Sequence, residues 1–593
     1  MMKRFFIGFL SSLAAVWVSV ILLMFLGIFF IAGLISNAMR GSEISPRIAK
    51  ESILYIDLAA NIEEINPNVE LQSLLNGSVE SSLILQPTVD AIKAAETDPR
   101  IKGIFIDAQG VSSGLASLKT LGDAIDSFRQ NTDKWIVAYG DQVTQGSYYL
   151  ASMADELYLN PQGMLDIHGL SATVVFYKNL LQKLGVEVQV LKVGTFKSAV
   201  EPYILDSVSE PNRLQMKEYM GVLWNDIAST MAKNRDMSLD SLNLMADSML
   251  LTVSPEELVN RGLVDKLCYR HEVEDRLREL VNVDDDDPLP LVNVADYAFV
   301  AREKMERSAK NKIAVLYAVG EITESGETGI TSDRLVPMIL DLAENDEIRG
   351  LVLRVNSPGG SAYASEQIWE ALETFKKSGK KFYVSMGDVA ASGGYYISCG
   401  ADKIYASPLT LTGSIGIFGL VPNLHGLLTD HLGINVQSIN TNANGNFPSF
   451  TQPMTPFQQA SMQNMINRGY ETFVGRCAEG RSLSVDSIKQ IAEGRVWAGR
   501  TALEIGLVDE LGTLDQAIVD LAADLNISNY SVESFPRFTP TIADFLRGMR
   551  GGVYEATMRR FMGEEAYEIY RKARRIEEID GLQCRMEDII VTL

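Results

Sequence analysis

The sequence predicts an α/β fold written twice. Three observations predict it: a block that recurs at one spacing, short apolar runs alternating with helix-like stretches inside each copy, and 593 residues, too many for one ordinary core. Residues 384–402 read VSMGDVAASGGYYISCGAD and residues 137–155 read VAYGDQVTQGSYYLASMAD, which sets Gly387-Asp388 over Gly140-Asp141 and Tyr395-Tyr396 over Tyr148-Tyr149. Aligned without a gap, Ser392 falls on Gln145, an offset of 247 residues. The likeness runs on in both directions. IKGIFI at 101–106 matches IRGLVL at 348–353 with the same offset, LGVEVQ at 184–189 matches LGINVQ at 432–437 at 248, and GLVD at 262–265 recurs at 506–509 at 244. So small a drift implies only short insertions and deletions.

Taken in order, the elements begin with a membrane anchor, residues 1–40. After Met1-Met2-Lys3-Arg4, residues 5–35 carry no charge for 31 positions, enough to cross a hydrocarbon core with some tilt. A secretory signal peptide would have a shorter apolar core and a small-x-small cleavage site. Lys3 and Arg4 favour a cytoplasmic amino terminus, a bias weakened by Arg40 on the far flank; the remaining bulk would then lie on the extracytoplasmic side.

The first repeat, residues 50–283, opens with a strand-like ILYIDLAANI from Ile53. A linker, residues 284–311, follows; it starts with four aspartates, Asp284 to Asp287, and continues Pro288-Leu289-Pro290, a charged and proline-rich crossing. The second repeat, residues 312–535, opens alike with IAVLYAVGEI from Ile313. Its apolar runs at 350–355, 382–386 and 403–406 alternate with a helix-like stretch at 364–376, the pattern of repeated β-α units. The tail, residues 536–593, lies beyond the repeat; its stretch 559–578, rich in Arg, Lys and Glu with Tyr and Ile interleaved, reads as an exposed helix or partner-binding segment.

Composition narrows the function. With 53 basic against 76 acidic residues the formal charge is -23, which argues against a nucleic-acid partner, since phosphate binding needs clustered Lys and Arg. Four scattered cysteines, Cys268, Cys399, Cys477 and Cys584, form no CxxC pair, suggest neither metal cluster nor disulfide framework, and read as buried thiols. None of the four histidines, His168, His271, His425 and His431, lies within ten residues of Ser392 in the chain.

Ser392 sits in Ala-Ala-Ser-Gly-Gly-Tyr-Tyr, a small-residue turn after a strand and before a helical segment. Such a turn lifts a hydroxyl and leaves amides free at a helix N-terminus, where they can hold an oxyanion. A second glycine turn, NSPGG at 356–360, follows the strand-like run and permits close backbone approach to a substrate carbonyl through Gly359 or Gly360. The first copy has DAQGV at 107–111 instead. A serine nucleophile needs a base, and Lys197 is the best candidate. It lies in KVGTFKSAVEPY at 192–203 among small and apolar neighbours, whereas the second copy reads NTNANGNFPSFT at 440–451, with no lysine near Gly445. A lysine serves as base only if burial or a nearby positive charge keeps its amine neutral. One copy thus keeps the serine and the other the lysine, and packing of the copies would let them meet.

Together VGTFKSAVEPY, NSPGG, GDVAASGGYYIS and LTGSIGIFG, with the anchor and the duplication, closely resemble the long, tandem form of the signal peptide peptidase A (protease IV) family, over roughly residues 53–525. The resemblance implies a tandem Clp protease/crotonase-like fold behind an amino-terminal transmembrane helix. It also implies a serine protease with a Ser/Lys dyad, acting on cleaved signal peptides and other hydrophobic or unfolded peptides without metal or organic cofactor. Carried over, Ser392 would be the nucleophile, Lys197 the general base, Ser414 the lysine-orienting residue, and Gly393 with Gly359 or Gly360 the oxyanion amides. The implied setting is a homo-oligomer, bowl-like and tetrameric, on the bacterial inner membrane, single-pass, with its catalytic domain on the periplasmic side. Competing readings are a noncatalytic membrane scaffold, an acyl-CoA hydratase or thioesterase on the same fold, and the same hydrolysis with a histidine base.

Overall fold

A computed structural model describes residues 48–65, 82–284, 287–305, 309–326, 328–536, 583–586 and 590–592, with Trp17, Val18 and Leu22. The expected anchor and the stretch 559–578 lie outside the described residues apart from those three. Among the described residues no helix is long and apolar enough to cross a membrane.

Each repeat builds a mostly parallel sheet. In the first the order is Leu291–Asn293, Ser52–Asp57, Ile101–Asp107, Trp135–Val143, Glu156–Leu165 and Lys266–Leu267, and every neighbouring pair is parallel. In the second, Tyr530–Phe535, Asn311–Val319, Ile348–Ser357 and Lys381–Ala391 follow the same order, continued by Lys403–Ala406 with Glu510–Leu511 and by Leu411–Gly413 with Val496–Ala498. The runs read as strands because a parallel sheet covered on both faces demands side chains that are apolar in succession. Leu351, Val352, Leu353 and Val355 are all fully buried. Leu291–Asn293 falls within the stretch read as a linker, yet it forms the outer strand of the first sheet, as Tyr530–Phe535 does in the second. The aspartates mark an exposed crossing, but the chain rejoins the first repeat before leaving it.

Corresponding helices share their signals. Glu210–Asn234 starts at Ser209, whose side chain accepts from the Asn212 amide, and Pro456–Gly480 starts at Thr455, which forms a reciprocal cap with Gln458. Both have proline in the first turn, where its missing N–H costs nothing.

The repeats share their apolar interior. Ala391, Leu409, Val496 and Ala498 of the second repeat join the core of the first, and Leu191 of the first joins that of the second. Each fully buried Leu or Val stabilises the junction by about 1.5–3 kcal/mol. A third sheet runs across it: Ile330–Thr331, Ile322–Thr323, Gly359–Ser361, Gln583–Arg585, Phe418–Asn423 and Glu187–Lys192. Its last pair is antiparallel and sets Lys192 opposite Phe418. This pairing carries the chain segment after Lys192 to the edge of the second repeat.

Candidate active site

Ser392 lies between the strand Lys381–Ala391 and the short helix Gly393–Tyr396. Its backbone has φ 55 and ψ -114, a conformation costly for any residue with a β-carbon. The strain is held by a hydrogen bond from its amide to the Gly413 carbonyl at 2.8 Å, and by tight packing behind it. A β-carbon on Gly394 would lie 2.7 Å from the Ser357 carbonyl oxygen, so only glycine lets the turn close. The hydroxyl is completely buried.

Lys197 arrives from the other repeat. After Glu187–Lys192 the chain turns through Gly194, at φ 111, and Phe196 donates its amide to the Glu493 carbonyl at 2.9 Å. Gln215 ties the loop down from the helix below: its amide nitrogen donates to the Phe196 carbonyl and to Ser198 Oγ, while its oxygen accepts from the Val496 amide of the second repeat. Arg495 stacks on the ring of Phe196 at 4.7 Å and on that of Trp497 at 4.2 Å. Lys197 is 1% exposed.

Its Nζ stands 2.8 Å from Ser392 Oγ, 3.1 Å from Ser414 Oγ and 3.2 Å from the Ser414 carbonyl oxygen. These three partners are uncharged. They match a neutral amine, with one lone pair facing the Ser392 hydroxyl and two N–H bonds given to Ser414. Ser414 holds φ 50 and donates its own amide to the Arg495 carbonyl at 2.7 Å.

Of the glycines singled out in the sequence, Gly393 and Gly359 face each other, since a β-carbon on Gly393 would come within 3.2 Å of Gly359 Cα. Gly360 turns toward the Ile322 backbone instead. Gly359 has φ 101, which leaves its position to glycine.

All four histidines are exposed, whereas Ser392 is buried. His168 pairs with Asp166, and His425 lies against the Thr451 carbonyl. The four cysteines are free and buried, as their scatter implied. In the first repeat, Gln145 fills the place of the serine: its oxygen accepts from the His168 and Gly169 amides and its nitrogen donates to the Gly169 carbonyl. The side chain closes the turn where an oxyanion would sit.

Polar groups beneath the site bind the repeats. Arg354 makes a two-pronged pair with Glu64 of the first repeat, at 3.0 and 2.6 Å, and both side chains are almost fully buried. Asp388 accepts from the amide and hydroxyl of Ser117, and burial pushes its carboxyl above the usual carboxylate range. Sequence reasoning missed Gln215, Glu64, Glu493 and Gly494, and it missed Gln583–Arg585, which runs beside Gly359. For the last of these no local signal exists, because the strand owes its order to the two strands it joins.

A tandem α/β chain with an activated-serine geometry at the seam of its repeats defines the class of a serine hydrolase. Comparison with known proteins narrows it. The signature of Peptidase family S49 matches residues 128–284 and 374–528, more than half the chain, and that of Clp protease matches residues 305–410. Protease 4 of Haemophilus influenzae is 34% identical over 532 residues, 86% of each chain. Protease 4 of Salmonella typhi is 35% identical over 480 residues, 79% of this chain and 76% of its own. The Enterococcus faecium protein called Putative signal peptide peptidase SppA is 32% identical over 251 residues, 41% of this chain and 73% of its own. The chain belongs to peptidase family S49, in the protease IV, SppA-type line, and is a serine protease.

Proposed function

We propose that the protein is a membrane-anchored endopeptidase that degrades cleaved signal peptides and other apolar or unfolded peptides through Ser392 and Lys197. One observation carries the reading: a lysine amine and a serine hydroxyl from different repeats, both buried, lie 2.8 Å apart. Burial among uncharged partners favours the neutral amine, the form able to accept a proton.

Lys197 takes the hydroxyl proton as Ser392 Oγ attacks the peptide carbonyl, and a positioned base of this kind contributes roughly 10²–10⁴-fold. The Gly393 amide, at the start of its helix, and the Gly359 turn stabilise the oxyanion; one such donor is worth about 10²–10³-fold. The ammonium then protonates the leaving amine, and water, deprotonated by the same lysine, hydrolyses the ester. Ser414 holds Nζ on line through its two acceptors. No step calls for a metal or organic cofactor.

The substrate class is supported by the name of the Enterococcus relative and by the uncharged run at 5–35, which would hold the enzyme where signal peptides remain. The same run, behind Lys3 and Arg4, supports a single-pass protein of the bacterial inner membrane with its catalytic part on the periplasmic side. Likeness to Clp protease over residues 305–410 supports assembly into a homo-oligomer, a tetramer by the family resemblance. A scaffold reading has no use for a strained serine against a buried lysine. The test is the full chain in detergent with a synthetic signal peptide and a tightly folded protein: the peptide is cut and the folded protein spared. Cleavage of neither, by protein that gives a cooperative melt, sinks the proposal.

A further inference from the structure

The strand Gln583–Arg585 lies in the active site as a substrate would. It pairs antiparallel with Gly359–Ser361, setting Arg585 opposite Gly359, Cys584 opposite Gly360 and Gln583 opposite Ser361, and its other edge meets Phe418. The next residue, Met586, donates its amide to the Pro358 carbonyl at 2.8 Å. All four residues are at most 9% exposed. Adding an extended segment to a sheet edge is the common way to hold a peptide by its backbone, with alternate side chains in pockets.

The register singles out one bond. The Cys584 carbonyl oxygen is directed at the two facing glycines: a β-carbon on Gly393 would stand 3.1 Å from it, and one on Gly359 would collide with it. The Cys584 side chain is fully buried in the apolar cluster with Tyr395, Tyr396 and Cys399, and burial pushes its thiol up to about 12 although the Lys197 charge acts in the other direction. A small, neutral side chain thus fills a pocket next to the dyad. Beyond the bond, Arg585 pairs with Glu321 at 3.0 Å, and the strand Ile590–Thr592 pairs with Ser171–Thr173 of the first repeat. The chain is held on both sides of one peptide link.

We infer that this carboxy-terminal segment is the enzyme's own substrate, cut at the bond between Cys584 and Arg585. The inference rests on the Ser392–Lys197 reading. Ser392 Oγ attacks the Cys584 carbonyl carbon while Lys197 takes its proton; the C–N bond breaks, and the Arg585 nitrogen leaves with that proton as an amine. Water then cleaves the ester, leaving Cys584 with a carboxylate and releasing residues 585–593. The cut detaches the strand that covers Gly359 and opens the groove to other peptides.

Intact-mass spectrometry of the full chain in detergent tests this, with Ser392→Ala and Cys584→Asp prepared in parallel and each preparation assayed on an apolar fluorogenic peptide. Wild type loses residues 585–593 and Ser392→Ala keeps Leu593. Cys584→Asp, which forces a charge into the pocket but leaves Ser392 and Lys197 in place, is trimmed at least about tenfold more slowly. Wild type that cuts the peptide yet keeps Leu593, or that is trimmed at another bond, overturns the inference and leaves the dyad standing. Equal trimming of Ser392→Ala overturns it too, and wild type that neither cuts the peptide nor trims itself overturns both.

Discussion

Gly494 of the second repeat lies directly against Lys197 of the first: a β-carbon there would stand 2.7 Å from the lysine N, Cα and Cβ. Gly494 also has φ 77, and its amide donates to the Ile415 carbonyl at 2.9 Å. The lysine is therefore seated by backbone rather than by a charged partner, and its place depends on a residue with no side chain.

Gly494→Ala pays both for left-handed backbone and for the collision. The strain is about 1–3 kcal/mol, and displacing Nζ lowers peptide kcat by roughly tenfold or more. Gly475→Ala is the contrasting case: inside the helix Pro456–Gly480, with nothing within 4 Å of the added methyl, it raises stability by about 0.5–1 kcal/mol and leaves kcat alone. Urea unfolding and steady-state rates on both variants measure the difference.

Breaking the Glu64–Arg354 pair from one side leaves a buried charge. Glu64→Gln destabilises by about 3–5 kcal/mol, because Arg354 keeps only Ser385 Oγ and the Met386 carbonyl as acceptors. The double variant Glu64→Met with Arg354→Met recovers most of that loss. A double variant no more stable than Glu64→Gln contradicts the account of this junction.

Arg100 holds the Asp98 carboxyl well below the usual carboxylate range, through side-chain hydrogen bonds, with further help from the Tyr297 hydroxyl. A depressed pKa stabilises the fold above the unfolded value, about 4, and that stability is lost as pH falls toward the folded value. Asp98→Asn should cost roughly 1–3 kcal/mol at pH 7. Thermal melts as a function of pH should show the gap to wild type closing only below about pH 4.

The first repeat should not be revivable by one change. Gln145→Ser in a Ser392→Ala background restores a hydroxyl but brings no lysine, because the loop with Lys197 points into the other repeat. Peptide hydrolysis should stay at background, and any return of activity would mean that a base exists in the first repeat.

Much of this was legible in the sequence, and the reasons differ by element. The two sheets follow from strands buried on both faces, which leave continuous apolar runs, and the strand order follows from alternating β-α units. Ser392 is legible because a nucleophile on a tight turn needs small neighbours. Lys197 stands out only by comparison, as the residue one copy keeps and the other replaces with an exposed loop around Gly445. Gln215 and Gly494 are invisible beforehand, since their value lies in what sits across the seam. The edge strand Leu291–Asn293 was hidden by the aspartates before it. Gln583–Arg585 has one apolar residue in three and acquires its structure from its partners.

The central claim is that one catalytic centre is assembled from Ser392 of the second repeat and Lys197 of the first. The most direct measurement is the rate of hydrolysis of an apolar fluorogenic peptide by wild type, Ser392→Ala and Lys197→Ala at matched thermal stability. Both variants should fall by at least about 10³-fold, and the double variant should fall no further, because the two groups act as one unit. A Lys197→Ala protein that keeps wild-type activity, or a double variant whose losses multiply, would contradict it.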